Sequence, residues 1–482
     1  MGSHEVLKEI PPMIITNSRI NGSVNFHDYY PKFINLTGTI FVNDVNFNDT
    51  IFPENITFKN AIFMGYTNFS NTSFMSKIDF SDTEFKKITN FEKVNFQKES
   101  LFINASFCKV IFRNCKFNLS EFLEATFYDY ANFADTEFFK NVLFERANFL
   151  GRANFDNATF AEEAHFDEAT IEGAIQFQDS KFDGIADFSE VVFADSNFYS
   201  AYFNKEAYFN DAVFTCDATF DNCRFVDDAL FQGSSFKSRI TLARSRYNNL
   251  YIRWDNISKG LEYDESSYQL LIGNFKKLGF YADAENCYYQ FRLEQFFRRD
   301  LSEEPITYFI DFGAWIFSGF GMKPIYPVIW SVYFIIIFSI YLNSIKSDKS
   351  MNIFIKWMLI SNFLIIILYI ILWDGNLIVF LPMTLVILFL IVSINRINKY
   401  KNDVEQYIAD GIIPKSFSEA FYLSLNNFFL GIEPVNDLLD SQNHSKIIMP
   451  ALKEALLLES LLGILLWVSL ILCLAEKVIR PF

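Results

Sequence analysis

Histidine and cysteine, which so often carry catalysis or metal binding, are scarce in this chain of 482 residues. The six cysteines lie far apart and lack the CxxC spacing typical of zinc sites. Neither a glycine-rich phosphate loop nor a nucleophile motif is found. The four histidines are scattered, at His4, His27, His165 and His444. The sequence therefore predicts reduced thiols and no enzyme: no catalytic residue, no metal site and no cofactor.

Positive charge is also in short supply, because 41 Lys and Arg stand against 57 Asp and Glu, a formal net charge of -16. A surface that neutralises phosphates needs the opposite balance, so nucleic acid is not expected as a partner. Residues 1–12 contain no apolar run behind a basic region, so no secretory signal is visible. We therefore expect the N-terminal half in the cytoplasm, with cations or basic proteins as its partners.

Phenylalanine, by contrast, is abundant, with 59 residues, and it is regularly spaced. From Phe52 to Phe107 it recurs at alternating steps of six and five residues; plain steps of five follow, and steps of six and five then continue as far as Phe236, with Ile171 as the sole substitution. A small or β-branched residue, such as Ala105 or Ala125, stands two positions before the Phe. Two inward positions two residues apart describe a short strand, whereas a helix would scatter them over its surface.

A chain that turns a corner every five or six residues can close a square coil of four sides and stack each coil on the last. At about 4.8 Å per strand, the ladder from Phe26 to Phe236 predicts roughly nine or ten coils and a rod of about 45 Å. Over most of residues 26–240 this pattern resembles the pentapeptide-repeat family, in the variant with Phe at the central position. The resemblance implies an N-terminal right-handed quadrilateral β-helix.

The outward positions of this rod become acidic between Ala161 and Arg239, where sixteen Asp or Glu stand against five Lys or Arg. The resemblance permits a rod that mimics DNA and binds a topoisomerase, as some soluble members of the family do. A solvated coat that keeps the rod soluble explains the charge as well. The expected partner of the rod is therefore an unknown protein or ligand.

After the ladder, the apolar spacing changes to that of helices, broken near Gly279. Tyr268 to Arg292 resembles the helical adaptor of bacterial pentapeptide-repeat membrane proteins, although a helix hairpin capping the open end of the β-helix explains it equally well. Trp315, Lys323 and neighbouring aromatic residues indicate an interfacial segment. The predicted domains are a cap or tail at 1–25, the β-helix at 26–240, the adaptor at 241–306, the interfacial segment at 307–323 and an all-α transmembrane domain at 324–482.

Four apolar runs in the last domain are long enough to cross a membrane, at about 325–342, 353–372, 377–394 and 455–475. Four spans put both termini on one side, which is the cytoplasm if the rod is cytoplasmic. The positive charges support this orientation only in part, because Lys346 and Arg396 would then lie outside. The sequence predicts a multi-pass protein of a bacterial or archaeal inner (plasma) membrane, in contact with lipid.

Within a pore-like loop at 416–436, the stretch from Phe417 to Gly431 is semi-apolar but too short to cross, and it precedes a last span that contains Gly463. The order of span, short helix, loop and glycine-bearing span resembles a two-helix potassium-channel pore module, over residues 377–481. The resemblance implies a re-entrant pore helix and a homo-oligomer, a tetramer by analogy, that passes inorganic ions.

The sequence departs from that family where potassium channels carry Thr-Val-Gly-Tyr-Gly, so potassium selectivity is not predicted. Asp437 is predicted as a charge at the pore mouth that favours cations, and Gly463 as a gate hinge. The predicted pore and selectivity residues are Ser424, Asn426, Asn427, Phe428, Phe429, Gly431 and Glu433.

Several of these residues also have a plainer explanation. The asparagines can cap the short helix, the acids can belong to a solvated loop, and Gly463 can serve close helix packing. Glu459, inside the last apolar run, is expected at the membrane interface. The predicted function is an oligomeric ion channel with a cytoplasmic sensor or docking rod; the alternative is a membrane-anchored scaffold whose acidic rod docks a partner.

Overall fold

The computed structural model describes residues 8–27, 29–300, 302–345, 381–398, 414–430 and 448–478. The chain divides into two compact units, Met1–Phe291 and Arg292–Phe482. The first is a β-solenoid of about 11 turns followed by helices, and the described part of the second is helical.

Each coil of the solenoid carries one short strand on each of four sides, and every strand pairs in parallel with the strand one coil later. Ile34 is aligned with Ile56, and Ile56 with Ile78. Side chains stacked on successive coils are 22 residues apart, as in the bond from Asn104 to Asp82. Two steps of six and two of five complete such a coil, which explains the alternating Phe ladder.

The strands follow the four sides in chain order. On side 1 lie Met13–Ile14, Ile34–Asn35, Ile56–Thr57, Ile78–Asp79, Ser100–Leu101, Ser120–Glu121, Val142–Leu143, Ala164–His165, Ala186–Asp187 and Ala207–Tyr208. On side 2 lie Arg19–Ile20, Ile40–Phe41, Ile62–Phe63, Thr126–Phe127, Asn148–Phe149, Thr170–Ile171, Val192–Phe193, Val213–Phe214 and Ser235–Phe236. On side 3 lie Val24–Asn25, Val45–Asn46, Thr67–Asn68, Tyr130–Asn132, Arg152–Asn154, Ile175–Gln176, Ser196–Asn197, Ala218–Thr219 and Ile240–Thr241.

On side 4 lie Ile51–Phe52, Ser73–Phe74, Asn95–Phe96, Lys116–Phe117, Glu137–Phe138, Thr159–Phe160, Lys181–Phe182 and Tyr202–Phe203. Four longer strands continue around a corner: Glu84–Asn90 and Ser106–Ile111 from side 2 to side 3, and Arg224–Leu230 and Arg246–Tyr251 from side 4 to side 1. A separate two-stranded sheet pairs Lys8–Ile10 with Tyr29–Pro31.

Alternate corners of the coil are built around a residue with positive φ. Asn60, Asn71 and Asp82, each with φ of 57°, occupy such positions. Asn and Asp adopt this conformation more readily than other side chains. Three residues before Asn71, the side chain of Asn68 accepts the backbone N–H of Ser70 at 3.0 Å and completes an Asx turn. The recurring Asn-Phe pairs of the sequence therefore encode corners as well as strands.

Columns of stacked phenylalanine rings fill the solenoid. The ring of Phe144 lies 4.7 Å from that of Phe122 and 4.8 Å from that of Phe166, with interplanar angles of 7° and 12°. It meets Phe155 edge-on, at 5.5 Å and 86°. Both geometries suit the quadrupole of the ring. Small residues such as Ala147 are buried beside the rings, so the predicted β-helix and its inward residues are confirmed.

The strands extend beyond the predicted range 26–240 at both ends. Met13 is aligned with Ile34 at the start, and Leu250 is aligned with Ala229 at the end. The added coils are lined largely by aliphatic side chains, for example Ile20 and Ile252, so the Phe ladder alone does not reveal them. They account for about 11 turns in place of the predicted nine or ten.

Three helices follow the last strand: α1 (Trp254–Ile257), α2 (Glu265–Lys277) and α3 (Tyr281–Arg298). The side chain of Asp264 accepts the N–H of Ser267 at 2.8 Å and caps the start of α2. Buried Asn274 on α2 accepts the N–H of Leu250 at 3.0 Å and donates to its carbonyl at 2.8 Å. The Asn274 side chain thus bonds to the backbone of the last strand, where a further strand would otherwise pair. The apolar residues of α2 join the core of the solenoid. The helices therefore cap the open end of the β-helix.

The second unit contains α4 (Pro305–Ser318), α5 (Ile325–Ser344), α6 (Leu381–Asn398), α7 (Phe417–Leu430) and α8 (Ile448–Val478). Within the described residues, two stretches are long and apolar enough to cross a membrane, Ile325–Ser344 and Ala451–Ala475. They correspond to the first and last predicted spans. The predicted span 353–372 lies outside the described residues, and the described part of 377–394 falls in α6.

Buried hydroxyl groups join three of these helices. The hydroxyls of Tyr341 on α5 and Ser393 on α6 are 2.7 Å apart, and Ser393 donates to the carbonyl of Ala451 on α8 at 3.2 Å. Apolar side chains of α5, α6, α7 and α8 form one core around this link. The two candidate spans therefore belong to a packed bundle.

Candidate functional site

The short helix α7 begins at a capping box. Ser416 accepts the backbone N–H of Glu419 at 3.2 Å, and the Glu419 carboxylate accepts the N–H of Lys415 at 2.6 Å. The bond to Ser416 satisfies an N–H group that the first turn of the helix leaves free, and the bond to Glu419 holds the residue before the cap. The sequence Ser-Phe-Ser-Glu therefore fixes where α7 starts.

One face of α7 packs against both candidate spans, α5 and α8. Ala420, Ser424, Asn427 and Phe428 are buried at the spacing of three or four residues expected for one helix face. On the opposite face Tyr422 is 66% exposed. The buried face is unusual in carrying two polar side chains.

Those two side chains meet the carboxyl group of Glu459 from α8, which is 0% exposed. The Ser424 hydroxyl contacts Glu459 Oε1 and lies 3.0 Å from the carbonyl of Ile335 on α5. Asn427 Nδ2 donates to Glu459 Oε2 at 3.0 Å and to the carbonyl of Leu456 at 2.8 Å. We call Ser424, Asn427, Glu459 and Ser460 the polar cluster; Ser460 contributes a bond to the Asn427 carbonyl at 3.1 Å.

The polar cluster includes two of the predicted pore residues and two that were not predicted as site residues. Ser424 and Asn427 are buried, and the amide of Asn427 bonds to α8. Glu459, expected at the membrane interface, is enclosed by helices. The sequence signal for Glu459 was a single Glu within an apolar run. Its partners on α7, however, lie 32 and 35 residues earlier in the chain.

The other predicted residues are distributed around the end of α7. Phe428 is buried, Asn426 is partly exposed, and Phe429 is exposed with its ring 5.6 Å from that of Trp467. The predicted residues beyond α7 lie outside the described residues: Gly431, Glu433 and Asp437.

Gly463 on α8 permits a close approach of α7. A Cβ at this position would lie 2.2 Å from the carbonyl oxygen of Phe428, well inside van der Waals contact. This geometry supports the close-packing explanation of Gly463. It requires no hinge.

Helix α4, ahead of the first candidate span, is amphipathic. Its exposed face carries Ile306, which is 77% exposed, and Phe309. On its buried face Asp311 forms ion pairs with Arg292 at 2.6 Å and with Arg299. The two ion pairs therefore join α4 to α3 and to the residue that follows it, and the apolar face of α4 is exposed, a pattern typical of interfacial segments.

Side 1 of the solenoid carries several closely spaced carboxylate groups. Burial raises the pKa of Asp167, and repulsion by Glu145 and Asp187 raises it further. His165 lies among them, 3.3 Å from Glu163 and 3.8 Å from Asp167. Glu145, His165 and Asp167 offer ligand atoms within 4.8 Å of one another, so these three could hold a metal ion. The histidine already has carboxylate partners, and we assign no metal to the group.

The cysteines take part in packing. All six are free, and Cys115 and Cys223 are buried in the small-residue positions of the solenoid. Their thiols donate to the carbonyls of Phe91 at 2.9 Å and Phe198 at 2.7 Å. Burial raises the pKa of both thiols. Both groups are therefore held as inert thiols.

A stacked four-sided solenoid with an inward Phe at each side defines a class of repeat proteins, and comparison with known families identifies it. Residues 32–73, 133–180, 166–211 and 177–224 match the family model described as pentapeptide repeats. The N-terminal solenoid therefore contains pentapeptide repeats. The match lies wholly within the solenoid, so it says nothing about the bundle. No curated protein matches the chain.

Proposed function

We propose that this chain is one subunit of an oligomeric ion channel, built around α7, with the pentapeptide-repeat solenoid as a cytoplasmic sensor or docking domain. The observation that carries the proposal is the packing of α7 against both candidate spans. With 14 residues, α7 is about 21 Å long, whereas the hydrocarbon layer is about 30 Å thick. A helix that ends within a bilayer needs protein or water around its last carbonyls. Several copies around a water-filled axis, four by analogy, supply both.

The proposed pore is not of the potassium type, because the sequence at the end of α7 and after it lacks the Thr-Val-Gly-Tyr-Gly motif of a potassium filter. Asn427 is committed to the polar cluster. In our proposal Asn426 and Gly431 therefore line the constriction, and Glu433 and Asp437 lie at its mouth. Carboxylates at that position favour cations.

Recordings from the purified full-length protein in planar bilayers test this proposal. We expect single-channel steps whose amplitude changes on Asn426→Ala and Glu433→Gln. Ser418→Ala, at the exposed start of α7, is the matched control and leaves the steps unchanged. Native mass spectrometry in parallel is expected to give a tetramer. Silence with sodium, potassium, calcium and chloride, or a monomeric mass, would overturn the channel.

The second candidate is a membrane-anchored scaffold, and the pentapeptide repeats with their crowded carboxylates favour it. Here the bundle only anchors the solenoid, and the acidic part of side 1 docks a basic protein. Reversing Glu163, Asp187 and Glu206 to Lys would then release that partner from membranes that carry the protein. Bilayer silence together with this release would select the scaffold over the channel.

A further inference from the structure

In the polar cluster, the Ser424 hydroxyl contacts more hydrogen-bond acceptors than it has hydrogens to donate. Ser424 has a single hydroxyl hydrogen. Its oxygen nevertheless contacts two acceptors, the Ile335 carbonyl at 3.0 Å and the Oε1 atom of Glu459. If Glu459 were ionised, one of these contacts would bring two oxygens together without a hydrogen between them.

One additional proton completes the arrangement. With a proton on Oε1, Glu459 donates to Ser424, and Ser424 donates to the Ile335 carbonyl. Oε2 remains free to accept from Asn427, whose second amide hydrogen goes to the Leu456 carbonyl. Each contact then contains one hydrogen.

The surroundings also favour the neutral acid. The groups that bond to the carboxyl are neutral, namely the Ser424 and Asn427 side chains on α7, and so are the groups that bond to these in turn, the Ile335 carbonyl on α5 and Ser460 on α8. Within the described residues, no ion pair includes Glu459; the nearby Arg396 pairs with Glu454. An ionised carboxylate buried without a cation in an apolar bundle is strongly disfavoured.

We propose that Glu459 is held as a neutral carboxylic acid and acts as a positioning residue, which fixes α7 between the two candidate spans. The inference concerns the bundle itself; only its consequence for conduction rests on the proposed function. Removal of the acid would let α7 shift along α8 near Gly463, where the two backbones come closest.

Infrared difference spectra of the full-length protein in detergent at neutral pH test the proton directly. Subtracting Glu459→Gln from the unaltered protein should leave the carbonyl band of one protonated carboxylic acid. Glu454→Gln is the matched control, because Glu454 is exposed and ion-paired on the same helix, and its difference spectrum should show carboxylate bands only. Loss of carboxylate bands for Glu459→Gln would overturn the proposal.

Conservative replacement tests the positioning role. Glutamine can donate to Ser424 and accept from Asn427 as the neutral acid does, so Glu459→Gln should keep the thermal midpoint of the protein. Glu459→Leu should lower it by several degrees, since it leaves Asn427 short of an acceptor. Equal losses for Gln and Leu would contradict the role. If the leucine variant does not fold, Ser424→Ala should still shift the carboxylic acid band, and an unshifted band would refute the contact.

Single-channel recordings of the Glu459 variants distinguish a failure of this inference from a failure of the proposed function. If the chain forms channels, Glu459→Gln keeps the single-channel steps and Glu459→Leu alters them. A protonated-acid band in a protein that passes no current would disprove the channel and leave the assignment of Glu459 intact.

Discussion

Gly463 lies directly against the backbone of Phe428, so that a Cβ built on the glycine would be 2.2 Å from the Phe428 carbonyl oxygen and 3.3 Å from its ring. The oxygen belongs to helix backbone, which cannot rotate away as a side chain can. The contact therefore sets how closely α7 and α8 approach, and the polar cluster sets their register along one another.

Gly463→Ala should consequently destabilise the bundle. An extra methyl group in a filled contact costs about 1–3 kcal/mol, which outweighs the gain of up to ~1 kcal/mol that Ala brings to a helix. Gly313→Ala on α4 is the control: nothing lies within 4 Å of its Cβ position, so only the gain remains. Thermal unfolding in detergent should move the two midpoints in opposite directions. Equal midpoints for both variants would show that α7 and α8 are not packed as described.

The interior of the solenoid offers a second test at Phe144, which is fully buried between Phe122 and Phe166. Phe144→Ala should lower the free energy of unfolding of the solenoid by about 3–5 kcal/mol, because it removes a large buried ring and leaves a cavity. Phe139→Ala, at an exposed position one strand away, should change it by less than about 0.5 kcal/mol. Urea unfolding followed by the β-sheet circular dichroism signal measures both. A Phe144 variant as stable as the Phe139 variant would contradict the stacked core.

How much of the structure can be predicted from the sequence depends on whether contacting residues follow a short repeated pattern in the chain. Phe144 and Ala147 repeat a pattern that every coil contains, so a few dozen residues suffice to predict the strands and the core. Asn274 and Glu459 are single residues whose partners lie 24 and 35 positions away on other elements. Nothing near them in sequence indicates those partners. The solenoid was therefore predictable, and a helical cap was one of two explanations of Tyr268 to Arg292, whereas the Asn274 contact and the polar cluster were not predictable.

Asn274 provides the third prediction, because it is the cap of the last strand. Asn274→Ala would leave the N–H of Leu250 buried without a partner, at about 1–3 kcal/mol, while the Leu250 carbonyl would keep its bond from the N–H of Ile252 at 3.1 Å. Hydrogen exchange at the Leu250 amide should accelerate strongly, with smaller effects in earlier coils because each coil contacts only its neighbours.

Two further variants sharpen this test. Gln269→Ala, on the exposed face of the same helix, should leave the exchange rate unchanged. Asn274→Asp keeps an acceptor for the Leu250 N–H but, when the acid is ionised, loses the donor to the Leu250 carbonyl, so its effect should be intermediate. Unaltered exchange at Leu250 in the alanine variant would mean that the last strand is satisfied in another way.

The crowded carboxylates of side 1 predict a dependence of stability on pH. Burial raises the pKa of Asp167 and Glu121 on side 1, and it also raises the pKa of Asp156, which follows a strand of side 3. The unfolded chain then loses these protons at lower pH than the folded solenoid does, so stability falls as pH rises through this interval. The penalty is absent below the ordinary carboxyl pKa of about 4 and complete above the raised pKa.

Asp167→Asn removes one of these penalties, and with it the repulsion by Glu145 and Asp187. The variant should therefore be more stable than the unaltered protein at about pH 7 and indistinguishable from it at about pH 3, where the acid is neutral in both states. Glu172→Gln, at an exposed position on the same coil, is the control and should show no gain. Urea midpoints at the two pH values measure the difference. If the variant gains the same stability at both pH values, the gain comes from the amide group and not from the removal of charge. If the variant is less stable at neutral pH, the Asp167 carboxylate is bound by a cation.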